Sequence, residues 1–132
     1  MAAFLVDRSL GRNIVPNALR ANGHTVHTLQ SVYGAEEQLL ADTKFLRDAG
    51  RNGWAVLTAD ARIRYRPHEL AVLQAERGRL FTLSSGNLTG ADQARRFVSN
   101  MAAIERACRR EGPFIYVVYE SRIEKRWPDT TT

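Results

Sequence analysis

A chain of 132 residues, 44% hydrophobic and 25% charged, has the size and balance of one globular domain and needs neither a disulfide nor a structural metal to fold. Its formal charge of +5 favours a polyanionic partner, and its one cysteine, Cys108, excludes an intramolecular disulfide and suits a reducing compartment. No apolar run approaches the roughly 20 residues that span a bilayer. The apolar start, Met1 to Val6, is short and meets an acid at Asp7, so the expectation is a soluble, cytoplasmic protein.

Ala3-Phe4-Leu5-Val6 is a continuous apolar run and predicts a buried strand ending at Asp7. Leu10 to Asn22 is amphipathic, with Pro16 starting or kinking the helix and Asn22-Gly23 ending it. His24 to Leu29 reads as a second strand and Gln30 to Gly34 as a loop. Ala35 to Ala49 has helical character in one or two pieces, with Asp42-Thr43 as a cap for the second. Trp54 to Thr58 is the clearest strand, with Asp60 just beyond it. A helix over Pro67 to Arg77, a strand over Leu80 to Leu83 and a turn over Ser84 to Asn87 follow. Ala91 to Arg110 reads as one long helix, broken by Gly112-Pro113 before a last strand, Phe114 to Tyr119. Residues 1–127 thus form one domain, and Pro128 to Thr132 read as a disordered tail.

Alternating strands and helices with short connections predict a three-layer α/β/α sandwich around a mostly parallel sheet. Ligands of such sheets bind beyond the carboxyl ends of the strands. Asp7 and Asp60 both end strands, and adjacent strands lie about 4.8 Å apart, so neighbouring strands would bring the two carboxylates to one edge. Each is also a plausible helix cap or turn former. Asp42 opens the helix that leads into the Asp60 strand, and a right-handed crossover returns that helix start to the same edge. Three clustered carboxylates repel one another and persist best around a cation. Oxygen ligands without His or Cys select Mg²⁺ or Mn²⁺ over zinc.

These residues resemble the PIN-like domain family. Phe4-Leu5-Val6-Asp7 with Leu10 resembles its opening strand, and Asp42-Thr43-Lys44-Phe45-Leu46 with Ala49-Gly50 and Gly53-Trp54 its acid-led helix. Val56-Leu57-Thr58-Ala59-Asp60 matches a Leu-Thr-x-Asp motif, and Arg62-Ile63-Arg64, Pro67 and Glu69 continue it. Gly86-Asn87-Leu88-Thr89-Gly90 and Gly112-Pro113-Phe114-Ile115 resemble the smaller subgroup of VapC-type toxins. The likeness covers about residues 4 to 119. It implies a Mg²⁺- or Mn²⁺-dependent endoribonuclease, the toxin of a type II pair, with Asp7, Asp42 and Asp60 as catalytic metal ligands. It also implies RNA as substrate and a small protein antitoxin as partner, and it allows a homodimer. Many members carry a further acid between the first and the helix acid; Glu36 or Glu37 is the candidate here, and Asn87 is a candidate for the rim.

Arg62, Arg64 and Arg66 alternate after Asp60 with Tyr65 among them. In an extended segment they would share a face that grips phosphate, while Tyr65 stacks on a base; otherwise they form a solvated loop. Arg95, Arg96, Arg109 and Arg110 read as a solvated helix face. His24 and His27 fall on opposite faces of a strand and cannot share a metal. The competing functional reading is a catalytically inactive RNA- or antitoxin-binding module of the same fold. A receiver-like signalling domain fits less well, because the first strand carries only Asp7 and no suitably placed lysine follows.

Overall fold

The computed structural model describes residues 2–128, so of the expected tail only Pro128 lies within the described residues. The strands are β1 (Ala3–Val6), β2 (Thr25–Thr28), β3 (Ala55–Thr58), β4 (Arg79–Leu83), β5 (Phe114–Val118) and β6 (Ile123–Trp127). They form a six-stranded sheet in the order β2-β1-β3-β4-β5-β6. The pairs from β2 to β5 are parallel, and β6 runs antiparallel to β5.

The helices are α1 (Ile14–Ala21), α2 (Leu29–Tyr33), α3 (Asp42–Asn52), α4 (Pro67–Glu76), α5 (Gly90–Ser99) and α6 (Met101–Cys108). Alternate residues of each strand feed opposite faces of the sheet. Phe4, Val6, Leu57 and Phe81 pack with Val15 and Leu19 of α1, Phe97 of α5 and Ile104 of α6. Leu5, Val56, Leu80 and Ile115 pack on the other face with Leu29 of α2, Phe45 and Leu46 of α3 and Leu73 of α4. These two cores make the three-layer α/β/α sandwich that the apolar strand runs predict. Each fully buried Leu or Phe contributes about 1.5–3 kcal/mol relative to exposure. Where α3 leaves for β3, Gly50 lies so close to α4 that a Cβ there would sit 2.6 Å from Glu76 Cβ.

Several boundaries differ from the sequence expectation. Asp42 is the first residue of α3 and not its cap; Ala41 holds the cap position and no side chain caps the helix. The expected loop after β2 is helical instead, because Thr28 and Ser31 cap one another's backbone to start α2. Residues Gly34–Leu39 form a 3₁₀ turn ahead of α3, so the helical stretch expected over Ala35 to Ala49 is in two pieces. The single long helix breaks at Asn100, whose amide donates to the carbonyls of Arg96 at 2.8 Å and Tyr119 at 2.9 Å. Strand β6 was not expected at all. Among the described residues no helix is long and apolar enough to cross a membrane.

One topological feature positions the site. From β1 the chain goes first to β2 on one side and then to β3 on the other. The crevice between the carboxyl ends of β1 and β3 is therefore the switch point at which open α/β sheets hold ligands.

Candidate active site

Asp7 leaves β1 at this crevice, and its N–H donates to the Leu57 carbonyl of β3 at 3.1 Å. Its side chain caps the 3₁₀ turn Arg8–Leu10, accepting from the Ser9 N–H at 3.0 Å and from the Ser9 hydroxyl. The other carboxylate oxygen accepts from Thr58 Oγ1 at 2.6 Å. Thr58 is fully buried at the end of β3, and the same Oγ1 accepts from the Asp60 N–H at 3.0 Å. One hydroxyl thus fixes the carboxylate of Asp7 and the backbone of Asp60. Ser9 Oγ adds a second tie by accepting from the Ala59 N–H at 2.8 Å. The spacing of β1 and β3 brings Asp7 and Asp60 to one edge, as their strand-end positions predict.

Asp60 caps a 3₁₀ turn over Ala61–Tyr65, accepting from the Arg62 N–H at 3.1 Å and Nε at 3.2 Å. This turn corrects the expectation of an extended arginine segment: Arg62, Arg64 and Arg66 do not share one face. Arg62 is largely exposed beside Asp60. Arg64 lies over the Tyr65 ring at 4.8 Å, with its Nε buried and lacking a partner among the described residues. Arg66 turns back into the site, with Nη1 2.8 Å from Asp60 and 3.7 Å from Asp42.

Asp42 thus reaches the same neighbourhood from the start of α3. Its carboxyl is pushed above its ordinary value, chiefly by burial and further by Glu69 and Asp60, against the opposing charges of Arg8 and Arg66. Asp7 is also pushed up, by burial first, with a smaller contribution from Asp42; the bonds from Ser9 and Thr58 work the other way. For Asp60 burial also raises the value, but the hydrogen bonds from Arg62 and the charge of Arg66 outweigh it and hold the carboxyl low. Asp42 is therefore the acid that links the charges of Asp7 and Asp60, and Arg66 is a cation close to Asp42 and Asp60.

Glu37 lies on the β2 side of Asp7. It is 7% exposed and ion-paired to Arg12, while Glu36 is exposed. Asn87 is exposed, its N–H on Ser85 Oγ at 3.3 Å, beyond the residues that line the hollow at Asp60. His27 stacks on Trp54 at 4.1 Å, which accounts for both rings as packing. Burial pushes the Cys108 thiol up to about 11, unlike an activated nucleophile. The residues that sequence reasoning missed are Ser9, Thr58 as a clasp, Arg8 and Glu69. Arg8, Ser9 and Thr58 had a signal in lying within two positions of Asp7 or Asp60, whereas Glu69 was marked only by its place in the run after Asp60.

The donor set fits a hard divalent cation in kind: carboxylates gathered at a switch point, two of them with raised protonation and a guanidinium already between Asp42 and Asp60. Among the described residues no three His, Cys, Asp or Glu side chains form a ready cage.

The model of the PIN like domain matches residues 2–85, a span that contains Asp7, Asp42 and Asp60. A Mycobacterium tuberculosis protein named "Putative ribonuclease VapC45" is 36% identical over 121 residues, covering 91% of this chain and 88% of that protein. No solved structure matches the chain. A family match over most of the chain and a relative aligned along nearly all of it agree with the fold: the chain belongs to the PIN-like domain family, in its VapC-type group.

Proposed function

We propose that this protein is a Mg²⁺- or Mn²⁺-dependent endoribonuclease and the toxin of a toxin–antitoxin pair. The observation that carries the reading is the cluster of Asp7, Asp42 and Asp60 at the β1/β3 switch point in a chain of this family. Asp7, Asp42 and Asp60 are the residues that would hold the ion. When bound, such an ion activates water, neutralises the phosphate and stabilises the leaving oxygen during in-line displacement.

The protein's own side chains have separable tasks. Ser9 and Thr58 hold Asp7 in one orientation, so that little ordering remains for the moment of reaction. Arg62, with an 81% exposed side chain, exchanges its contact with Asp60 for a phosphate oxygen. Arg66 supplies the second positive charge, and Asn87 a neutral donor at the rim. Arg64 belongs to the same basic rim through its contact with Tyr65. In this assignment Glu37 stands outside the ligand set, because it faces a hollow that it shares with Asp7 and Arg12 and not with Asp42 or Asp60.

The competing reading is an inactive RNA- or antitoxin-binding module. One observation favours it: Arg66 already supplies a cation to Asp42 and Asp60, a role that could replace the metal altogether. The two readings part on growth of a bacterial host. Under the toxin reading, expression of the wild-type chain slows growth, Asp7→Asn does not, and a small protein encoded beside it restores growth. That inhibitor would present an arginine to the carboxylates or acids to the basic rim, matching charges that speed association and select the partner. Normal growth at high soluble expression, with no copurifying protein, would favour the inactive module.

A further inference from the structure

A cavity of about 320 Å³, at the small end of the range for ligand pockets, opens beside Asp7 at the carboxyl ends of β1 and β2. Val6 and Leu29 give it an apolar floor; Thr28, Gln30, Gln38 and the Arg12–Glu37 pair give it polar walls. Its outer wall is the 3₁₀ turn Gly34–Leu39, which Arg8 straps to the end of β1 by donating to the Glu37 carbonyl at 2.8 Å and the Leu40 carbonyl at 2.9 Å. Glu37 is therefore a largely buried residue on a turn that Arg8 holds in place. One of its oxygens takes the Arg12 guanidinium, and the other has no protein partner among the described residues. That oxygen is not sealed from solvent, and at the cavity wall it is open to accept from a donor that a ligand brings. Arg12, half exposed, keeps N–H groups free at the mouth of the same cavity.

We propose that this cavity is a nucleobase subsite that reads guanine, with Glu37 as the specificity-determining residue and Arg12 as its partner; the assignment rests on the ribonuclease reading. Asp7 lines the same cavity, so a base seated there belongs to a nucleotide next to the phosphate at the acidic cluster. Guanine is the base whose Watson–Crick edge offers adjacent N1–H and N2–H donors to a carboxylate, with O6 beside them to accept from a guanidinium. Adenine and cytosine each place a ring-nitrogen lone pair where the carboxylate would sit, and uracil flanks its single N–H with carbonyl acceptors. The apolar floor of Val6 and Leu29 suits the face of a planar ring.

The test measures equilibrium binding of the full chain, in EDTA, to labelled uridine pentamers that differ only at the central base. The central base is guanine, hypoxanthine, adenine or uracil. Guanine should bind about tenfold tighter than adenine, in keeping with a good two-bond base contact. Hypoxanthine, which lacks the N2 amine, should fall between them. Glu37→Gln and Arg12→Gln should each bring guanine down towards adenine, whereas Glu111→Gln, at the distant pair with Arg77, should leave the preference intact. Equal binding of all four pentamers overturns the subsite even without a variant. A guanine preference that survives in folded Glu37→Gln, or an equal loss across all four bases, overturns the role of Glu37. If no pentamer binds and no RNA is cut with Mg²⁺ or Mn²⁺, the ribonuclease reading itself fails. If RNA is bound and cut without regard to guanine, only the subsite is lost.

Discussion

Arg66 reaches back from the end of its 3₁₀ turn to set Nη1 2.8 Å from a carboxylate oxygen of Asp60, and the same nitrogen lies 3.7 Å from Asp42. The side chains involved are between a fifth and a third exposed, so the charges are screened less than a surface pair would be. A divalent ion between these acids must compete with the guanidinium already there. Arg66→Gln should therefore bind Mn²⁺ and Mg²⁺ several-fold more tightly than the wild type by calorimetric titration, while binding RNA more weakly. Unchanged metal affinity would mean that Arg66 and the ion do not share those oxygens.

Thr58 tests whether the Asp7 carboxylate needs its clasp. Thr58→Val keeps the shape but leaves a buried Asp7 oxygen and the Asp60 N–H each short of a partner. The unsatisfied groups should cost about 1–3 kcal/mol in urea denaturation, and RNA cleavage should fall even where the protein remains folded. A variant as stable and as active as the wild type would reduce Thr58 to a bystander.

Arg62 is the arginine best placed to meet RNA from solvent, and each phosphate contact to a single strand contributes about 0.7 to the slope of log K against log salt. Arg62→Gln should lower that slope by about this amount. An unchanged slope assigns Arg62 to capping Asp60 alone.

Strands β1, β3, β4 and β5 were legible because they are short apolar runs buried on both faces, but their order in the sheet was not, since it depends on pairings between distant segments. Strand β6, Ile-Glu-Lys-Arg-Trp, was not. It is an edge strand, and an edge is kept from pairing further by the very charges that mask it in the sequence. The break at Asn100 is equally invisible locally, since it depends on carbonyls that the β5–β6 connection brings to it. At the site, Asp7 and Asp60 were readable from strand ends and Asp42 from its helix start. The path of Arg66 was not, because a 3₁₀ turn capped by Asp60 replaces the extended segment that alternation of arginines suggests. The pairing of Glu37 with Arg12 was hidden for the same reason: it joins residues 25 positions apart through a turn without periodicity.

The most direct measurement is cleavage of mixed RNAs by purified wild type and Asp60→Asn, each with Mg²⁺, with Mn²⁺ and with EDTA. Asparagine keeps the shape of Asp60 but removes the charge that draws a cation. The account predicts wild-type cleavage in either metal, none in EDTA, and a loss in folded Asp60→Asn greater than the roughly 10–100-fold that even an outer partner of a metal ligand is worth. Cleavage that persists in EDTA, or at the wild-type rate in folded Asp60→Asn, would contradict it.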